Sequence, residues 1–191
     1  MVDEDSSPRR RDPEATRRTI VVAAAEIVSE QGVAALTHRA AAARGEVSLG
    51  STTRHFPSID ALREAALGHL ADEIDTDLDE VETALAGADD LAERGAAIMR
   101  AWLLDTRQVR STMALVSAAT TDSDLRALSA RWTDRLTAIL ARHVGRERAV
   151  AIDSYLNGVT MHAALNDHPL DEESIARVIR ALVAMPTAES E

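Results

Sequence analysis

Residues 36–62 read LTHRAAAARGEVSLGSTTRHFPSIDAL, and the punctuation of this stretch decides the fold. Thr37 is placed to cap a short helix, because its hydroxyl can accept from a free N–H of the first turn. The alanines at 40–43 keep that helix thin enough to pack closely. Gly45 ends it, as the residue that enters left-handed backbone at least cost. Ser48 then caps a second short helix carrying Leu49, Ser51, Thr52, Thr53, Arg54 and His55. Pro57 stops that helix and Ser58 caps the next. Two short helices joined by a glycine-containing turn fit a DNA-binding helix-turn-helix. The second helix offers small polar and basic side chains with a gap at Gly50, a surface for phosphates and base edges rather than for a core.

Working outward, Asp12-Pro13-Glu14 starts a helix with a capping aspartate, proline at the first helical position and an acid in the first turn. This helix is expected to run to Gln31 and to end at Gly32. Ile20, Ala23, Ala24, Ile27 and Val28 share one face at helical spacing, which should pack on Leu36, Val47 and Phe56. Arg17 and Arg18 near its start are either solvated or in reach of DNA phosphate. Residues 1–11 carry three acids and then Arg9, Arg10 and Arg11, as a solvated tail or a basic arm reaching an adjacent groove. Downstream, Ser58 opens a long helix in which Leu62, Ala66, Leu70 and Ile74 recur at i+4. It either runs unbroken to Leu85 or bends near Asp75, and Gly87 ends it. Residues 72–93 contain many acids and no arginine, which reads as a solvated face. Helical spacing scatters those carboxylates around the axis, so they form no calcium-type loop. Further helices are predicted over residues 89–106, 109–120, 123–144, 147–165 and 171–184. The fold class is therefore all-α, with no strand signal.

The chain has 191 residues, enough to bury a sizeable core in one or two domains. Aromatics are only 2% and cysteine is absent, so neither disulfides nor thiolate chemistry is available. No apolar leader and no membrane-length run is visible, and a cytoplasmic protein without a membrane partner is the expectation. The net charge of −11 is unevenly spread. Residues 9–56 hold eight arginines against five carboxylates, whereas residues 57–191 hold thirteen against twenty-four. A mildly basic head on an acidic body lets one face meet phosphate while the rest repels it.

The stretch at 36–62 resembles the DNA-binding region of TetR-family transcriptional regulators. The resemblance rests on Leu36, Thr37, Ala42, Val47, Ser48, Gly50, His55, Phe56, Ser58 and Leu62. The chain departs from the family pattern at Ala41 (isoleucine is usual), Glu46 (glycine), Thr53 (tyrosine) and Ile59 (lysine), and Gly45 sits one position early. The resemblance implies a three-helix head at 1–57, a helical regulatory and dimerisation body at 58–191, and about nine helices in all. It further implies a homodimer that binds a near-palindromic double-stranded DNA operator and is released by a small-molecule effector, most simply as a repressor. Thr37, His38, Arg39, Ser48, Leu49, Gly50, Ser51, Thr53, Arg54 and His55 are the candidate DNA-binding residues. Arg39 matches a family position that can reach a base edge, and Thr37, Thr53 and His55 suit phosphate oxygens. The last two helices are expected to form the dimer, through Ile152, Leu156, Gly158, Val159, Ala163, Ile175, Val178, Ile179 and Leu182, a stripe that would serve equally as monomer core.

Large or adaptable side chains on the central helices, Met99, Trp102, Leu103, Met113, Trp132, Tyr155 and Met161, are candidates to line an effector pocket, although such residues are also ordinary core. Arg100, Asn157 and His162 are the polar groups to watch, since a buried one needs a partner. No nucleophile elbow, zinc-binding H-E-x-x-H or glycine-rich phosphate loop is present. No catalytic site, metal or cofactor is therefore expected. The competing reading is an all-helical small-molecule binding protein or enzyme with a vestigial head.

Overall fold

A computed structural model describes residues 12–166 and 168–186. Among the described residues the chain forms nine α-helices and a single 3-10 turn at Val33–Ala35, with no strand. The helices are α1 (Pro13–Gln31), α2 (His38–Arg44), α3 (Leu49–His55), α4 (Ile59–Ala86), α5 (Leu91–Leu103), α6 (Thr106–Ala119), α7 (Ser123–Val144), α8 (Arg146–Leu165) and α9 (Glu172–Val183). The expected caps are in place. Asp12 accepts from the Glu14 amide, Thr37 from Ala40, Ser48 from Ser51 and Ser58 from Ala61. The proposed basic arm at 1–11 lies outside the described residues.

Boundaries differ between α5 and α6. Helices expected at 89–106 and 109–120 are in fact divided at Leu104-Asp105, because Asp105 caps α6 by accepting from the Gln108 amide. That cap starts α6 three residues earlier than the apolar pattern alone suggests.

Two apolar clusters make up the core. One holds Ile20, Ala24, Ile27, Val28, Leu36 and Phe56 of the head together with Leu62, Ala66 and Leu70 from the first half of α4. Leu125 and Leu128 at the start of α7 also belong to it. The other holds Leu78 and Leu85 from the second half of α4, with Leu136, Ile139, Ile152, Val159, Ile175 and Ile179. Ile74 packs against both clusters. A division of the chain at residue 57 thus separates helices but not cores, and α4 runs unbroken through the region where a bend was considered.

The acidic face of α4 is not simply solvated. Asp75 accepts from Arg131 Nε at 3.1 Å and from Arg135 Nη1 at 3.0 Å, Arg135 also pairs with Asp79, and Arg142 reaches Glu82 at 2.6 Å. These α7 arginines clamp α7 along α4, so carboxylates and arginines that are remote in sequence are neighbours in space. Hydrogen bonding from Arg131 is the main reason the Asp75 carboxyl is held below its ordinary value of 3.8. A carboxylate depressed in the folded state stabilises the fold above its unfolded value, and that stability is lost as pH falls through the lower folded value. Comparing wild type with Asp75→Asn by chemical denaturation, we expect the wild type to be the more stable at neutral pH. The gap should close below pH 4, and a gap that persists unchanged into acid would remove the ion pair as its cause.

Candidate nucleic-acid interface and regulatory body

The helix-turn-helix is held by groups that point inward. Thr52 on α3 is fully buried, and Ala41 and Ala42 of α2 are buried against α1. The His38 ring donates from Nε2 to the Phe56 carbonyl at 2.8 Å. That bond ties the start of α2 to the end of α3, so His38, expected on the DNA face, acts here as a brace. Arg17 stacks its guanidinium over the Phe56 ring, 5.2 Å from the centroid, an attraction between cation and ring face.

The remaining expected DNA-binding residues lie on α2 and α3 or at their N-caps. Thr37, Arg39, Ser48, Leu49, Gly50, Thr53 and Arg54 are exposed, while Ser51 and His55 are half-buried. Leu49 leaves 45% of its surface in solvent, and nothing stands within 4 Å of a Cβ built at Gly50. Thr37 and Ser48 are already committed as caps, and the Thr53 hydroxyl donates to the Leu49 carbonyl at 3.1 Å. Arg39 and Arg54 have no carboxylate partner among the described residues.

The turn between α2 and α3 corrects the expected role of Gly45. Its φ is −84°, and the left-handed residue is Glu46, at φ 51°. Gly45 is needed for space instead. A Cβ there would lie 3.2 Å from the Ala41 carbonyl oxygen and 3.3 Å from the Ala23 Cβ.

Arg44, at the end of α2, bonds Glu26 at 3.0 Å and Glu30 at 2.8 Å on α1. Arg107, at the start of α6, meets the other oxygens of the same carboxylates at 3.5 and 3.3 Å. The two glutamates therefore join the reading head to the first turn of a body helix. Hydrogen bonding from Arg44 is the main cause that lowers the Glu30 carboxyl, and Glu30 in turn raises Arg44. This network was missed because its four members look like isolated surface charges in the sequence. Beside it an open cleft of about 560 Å³ is lined by Arg18, Val22, Glu26, Arg44 and Glu46.

In the body, Met99, Trp102, Trp132 and Tyr155 are half-buried against the second cluster, Leu103 is buried, and Met113 and His162 are half-buried. Asn157 and Met161, by contrast, are exposed on α8, Met161 at 50%, and Asn157 donates to Asp153 at 3.2 Å. The expected dimer stripe also divides. Ile152, Val159, Ile175 and Ile179 are at most 2% exposed within the protomer's own core. They are core because they sit on the inward faces of α8 and α9. Leu156, Ala163 and Leu182 are half-buried, and Gly158 and Val178 are exposed. The face of α8 that is left open runs through Val150, Ser154, Gly158, Met161 and Leu165. Its three- and four-residue spacing was readable, but the more hydrophobic inward stripe masked it.

A helix-turn-helix head on an all-helical body defines the class: a DNA-binding regulator. No protein-family sequence model and no curated protein matches the chain. Solved structures do. The multidrug binding protein EbrR in complex with malachite green is 31% identical, with 94% of this chain and 100% of EbrR covered and a TM-score of 0.72. A TetR-family member from Streptomyces coelicolor A3, SCO1917, is 33% identical, with 90% and 99% covered and a TM-score of 0.73. The transcriptional regulator SCO7518 from Streptomyces coelicolor A3(2) is 29% identical, with 89% and 99% covered and a TM-score of 0.72. The chain belongs to the TetR family of transcriptional regulators. Among the described residues no helix is long and apolar enough to cross a membrane.

Left-handed backbone at a residue with a Cβ costs roughly 1–2 kcal/mol. Glu46→Gly should therefore raise stability by about 1 kcal/mol, less the added freedom of the unfolded chain. Denaturant midpoints for the two proteins test this, and an unchanged or lower midpoint would show that the turn is not strained.

Proposed function

We propose that the chain is a ligand-released transcriptional repressor that binds a near-palindromic operator as a homodimer. In this reading residues 1–57 carry the DNA-binding function and residues 58–191 regulation and dimerisation. The observation that carries the DNA half is α3 itself. It is a capped helix braced from behind by Thr52 and His38, whose front exposes Leu49, Gly50, Thr53 and Arg54. Such a helix in a major groove places its N-terminal residues at base edges. Arg39 is assigned to a base edge, where the guanine O6 and N7 acceptors suit arginine. Thr37, Thr53 and His55 are assigned to the backbone, Thr53 by turning its hydroxyl from the Leu49 carbonyl to a phosphate oxygen; Ser48, Leu49, Gly50, Ser51 and Arg54 complete the interface, with Arg54 on phosphate.

Operator and scrambled duplexes, titrated at several salt concentrations, separate the two kinds of contact. Arg39→Ala should lose about 1–3 kcal/mol on the operator only, by relaxing one base position per half-site. Arg54→Ala should weaken both duplexes alike and lower the salt slope by about 1. Equal losses on both duplexes for Arg39→Ala would overturn the base assignment.

Dimerisation is assigned to the open face of α8 with Val178 on α9. The support is a run of apolar and small side chains left in solvent, with Leu165 77% and Met161 50% exposed. A C2 interface brings the same patch together from both copies, so one substitution acts twice. Met161→Glu should convert the protein to monomer in sedimentation velocity at micromolar concentration, and a dimer that survives it would place the interface elsewhere.

The effector half rests on the family and on EbrR, a relative in complex with malachite green and, in other structures, with proflavin and ethidium. The half-buried Met99, Trp102, Met113, Trp132, Tyr155 and His162, with the buried Leu103, are assigned to the effector site. Effector binding favours a dimer whose heads no longer match the half-site spacing.

A further inference from the structure

Besides Arg63 Nε, whose guanidinium is paired with Asp124 through Nη2, three buried polar atoms in the body have no hydrogen-bond partner among the described residues: Arg100 Nη1 on α5, Ser129 Oγ on α7 and His162 Nδ1 on α8. Buried polar groups in folded proteins are nearly always satisfied, and each exception calls for an explanation. They lie on three different helices, each of which meets α6. Arg100 stands three residues before the end of α5, next to the turn that starts α6. Ser129 lies in the second turn of α7, just after Leu125 and Leu128, which belong to the head-side cluster. Helices α7 and α8 are joined at Gly145 as an antiparallel pair. Ser129 is sixteen residues before that glycine and His162 seventeen after it, so they stand at the same level. All three helices pack on α6. The middle of α6, residues 111–115, is half-exposed throughout, whereas Val109 and Ala119 at its ends are buried. The unpaired atoms thus lie on the three helices that pack on this half-exposed stretch of α6.

Their chemistry is one-sided. A guanidinium only donates and is always charged, and a serine hydroxyl and an imidazole can both donate. Arg100 has no carboxylate within ion-pair distance among the described residues. Among the described residues the one carboxylate that is nearly fully buried, Asp153 at 5% exposure, bonds Asn157 at 3.2 Å. On α8 it projects about 160° away from Tyr155 and about 180° away from His162, by the ordinary 3.6-residue turn. What this region lacks is an acceptor carrying negative charge.

We propose that the effector presents a carboxylate or an equivalent anionic group, which Arg100 holds with help from Ser129 and His162, while its apolar frame lies against Trp102, Met113 and Trp132. This rests on the ligand-responsive reading above and sharpens it, because it separates this protein from EbrR, whose ligands malachite green and ethidium are cations.

Two dyes decide it, with the full-length protein and a genomic DNA fragment that it retains. The anionic probe is 1-anilinonaphthalene-8-sulfonate and the cationic probe malachite green. Binding is read by quenching of Trp102 and Trp132, and DNA release by anisotropy. The anionic dye is expected to bind more tightly and to release DNA. Arg100→Gln should weaken it about tenfold or more, the scale of one lost charge-assisted bond, without weakening malachite green. Ser129→Ala, a smaller change that keeps the fold, should weaken the anionic dye by a lesser factor. Arg110→Gln, an exposed α6 arginine, should change neither. The proposal is overturned if malachite green binds more tightly and Asp153→Asn abolishes that binding, or if Arg100→Gln and Ser129→Ala leave the anionic dye unaffected. DNA release by malachite green alone sinks the anion assignment but leaves the ligand-responsive reading standing. A protein that binds neither dye and is never displaced from DNA loses both.

Discussion

The burial of one helix in two cores at once is the constraint on which the rest of this structure depends. Helix α4 gives Leu62, Ala66 and Leu70 to the head-side cluster and Leu78 and Leu85 to the body, with Ile74 between them. Neither cluster is complete without it. Apolar burial stabilises in proportion to area, so bending α4 near Ile74 would draw contact area out of both clusters. The arginines of α7 reinforce the straight form by gripping Asp75, Asp79 and Glu82 along its polar side. The head is therefore oriented by a continuous element of the body rather than hung on a linker.

What was legible in the sequence was whatever is written in local chemistry. Caps at Asp12, Thr37, Ser48 and Ser58, the stop at Gly32 and the inward stripe of α1 all depend on residues within one or two turns of each other, and all are found as read. The reading weakened where a residue's role depends on a distant partner. Asp75 looked solvated because Arg131 and Arg135 are some 56–60 residues away. His38 looked free to meet DNA because its acceptor is a backbone carbonyl at Phe56, which no side-chain pattern reveals. Ile152 and Ile179 looked available to a second copy because hydrophobicity marks burial without saying which molecule provides it.

The turn between the two short helices shows a subtler limit. The sequence contains a glycine and the turn needs a left-handed residue, so assigning one to the other is natural. The structure separates the two demands. Close approach of α1 requires the glycine, and the left-handed step falls on Glu46. Backbone sterics and packing sterics are distinct constraints, and two adjacent positions here satisfy one each. A carboxylate is thus fixed beside α3, where under the proposed reading it would oppose phosphate rather than attract it.

A rod anchored at both ends is also a lever. With 28 residues α4 spans roughly 42 Å, and Ile74 falls near its midpoint. About 20 Å of helix therefore lies on either side of that pivot, at 1.5 Å per residue. Tilting such an arm by 5° carries its tip nearly 2 Å, comparable with the small shifts by which packed helices switch between states. The gearing is close to one to one: a displacement imposed on the body end returns at the head end with its size preserved and its direction reversed. Amplification must then come from the far side of the head, where α3 stands away from the axis of the rod.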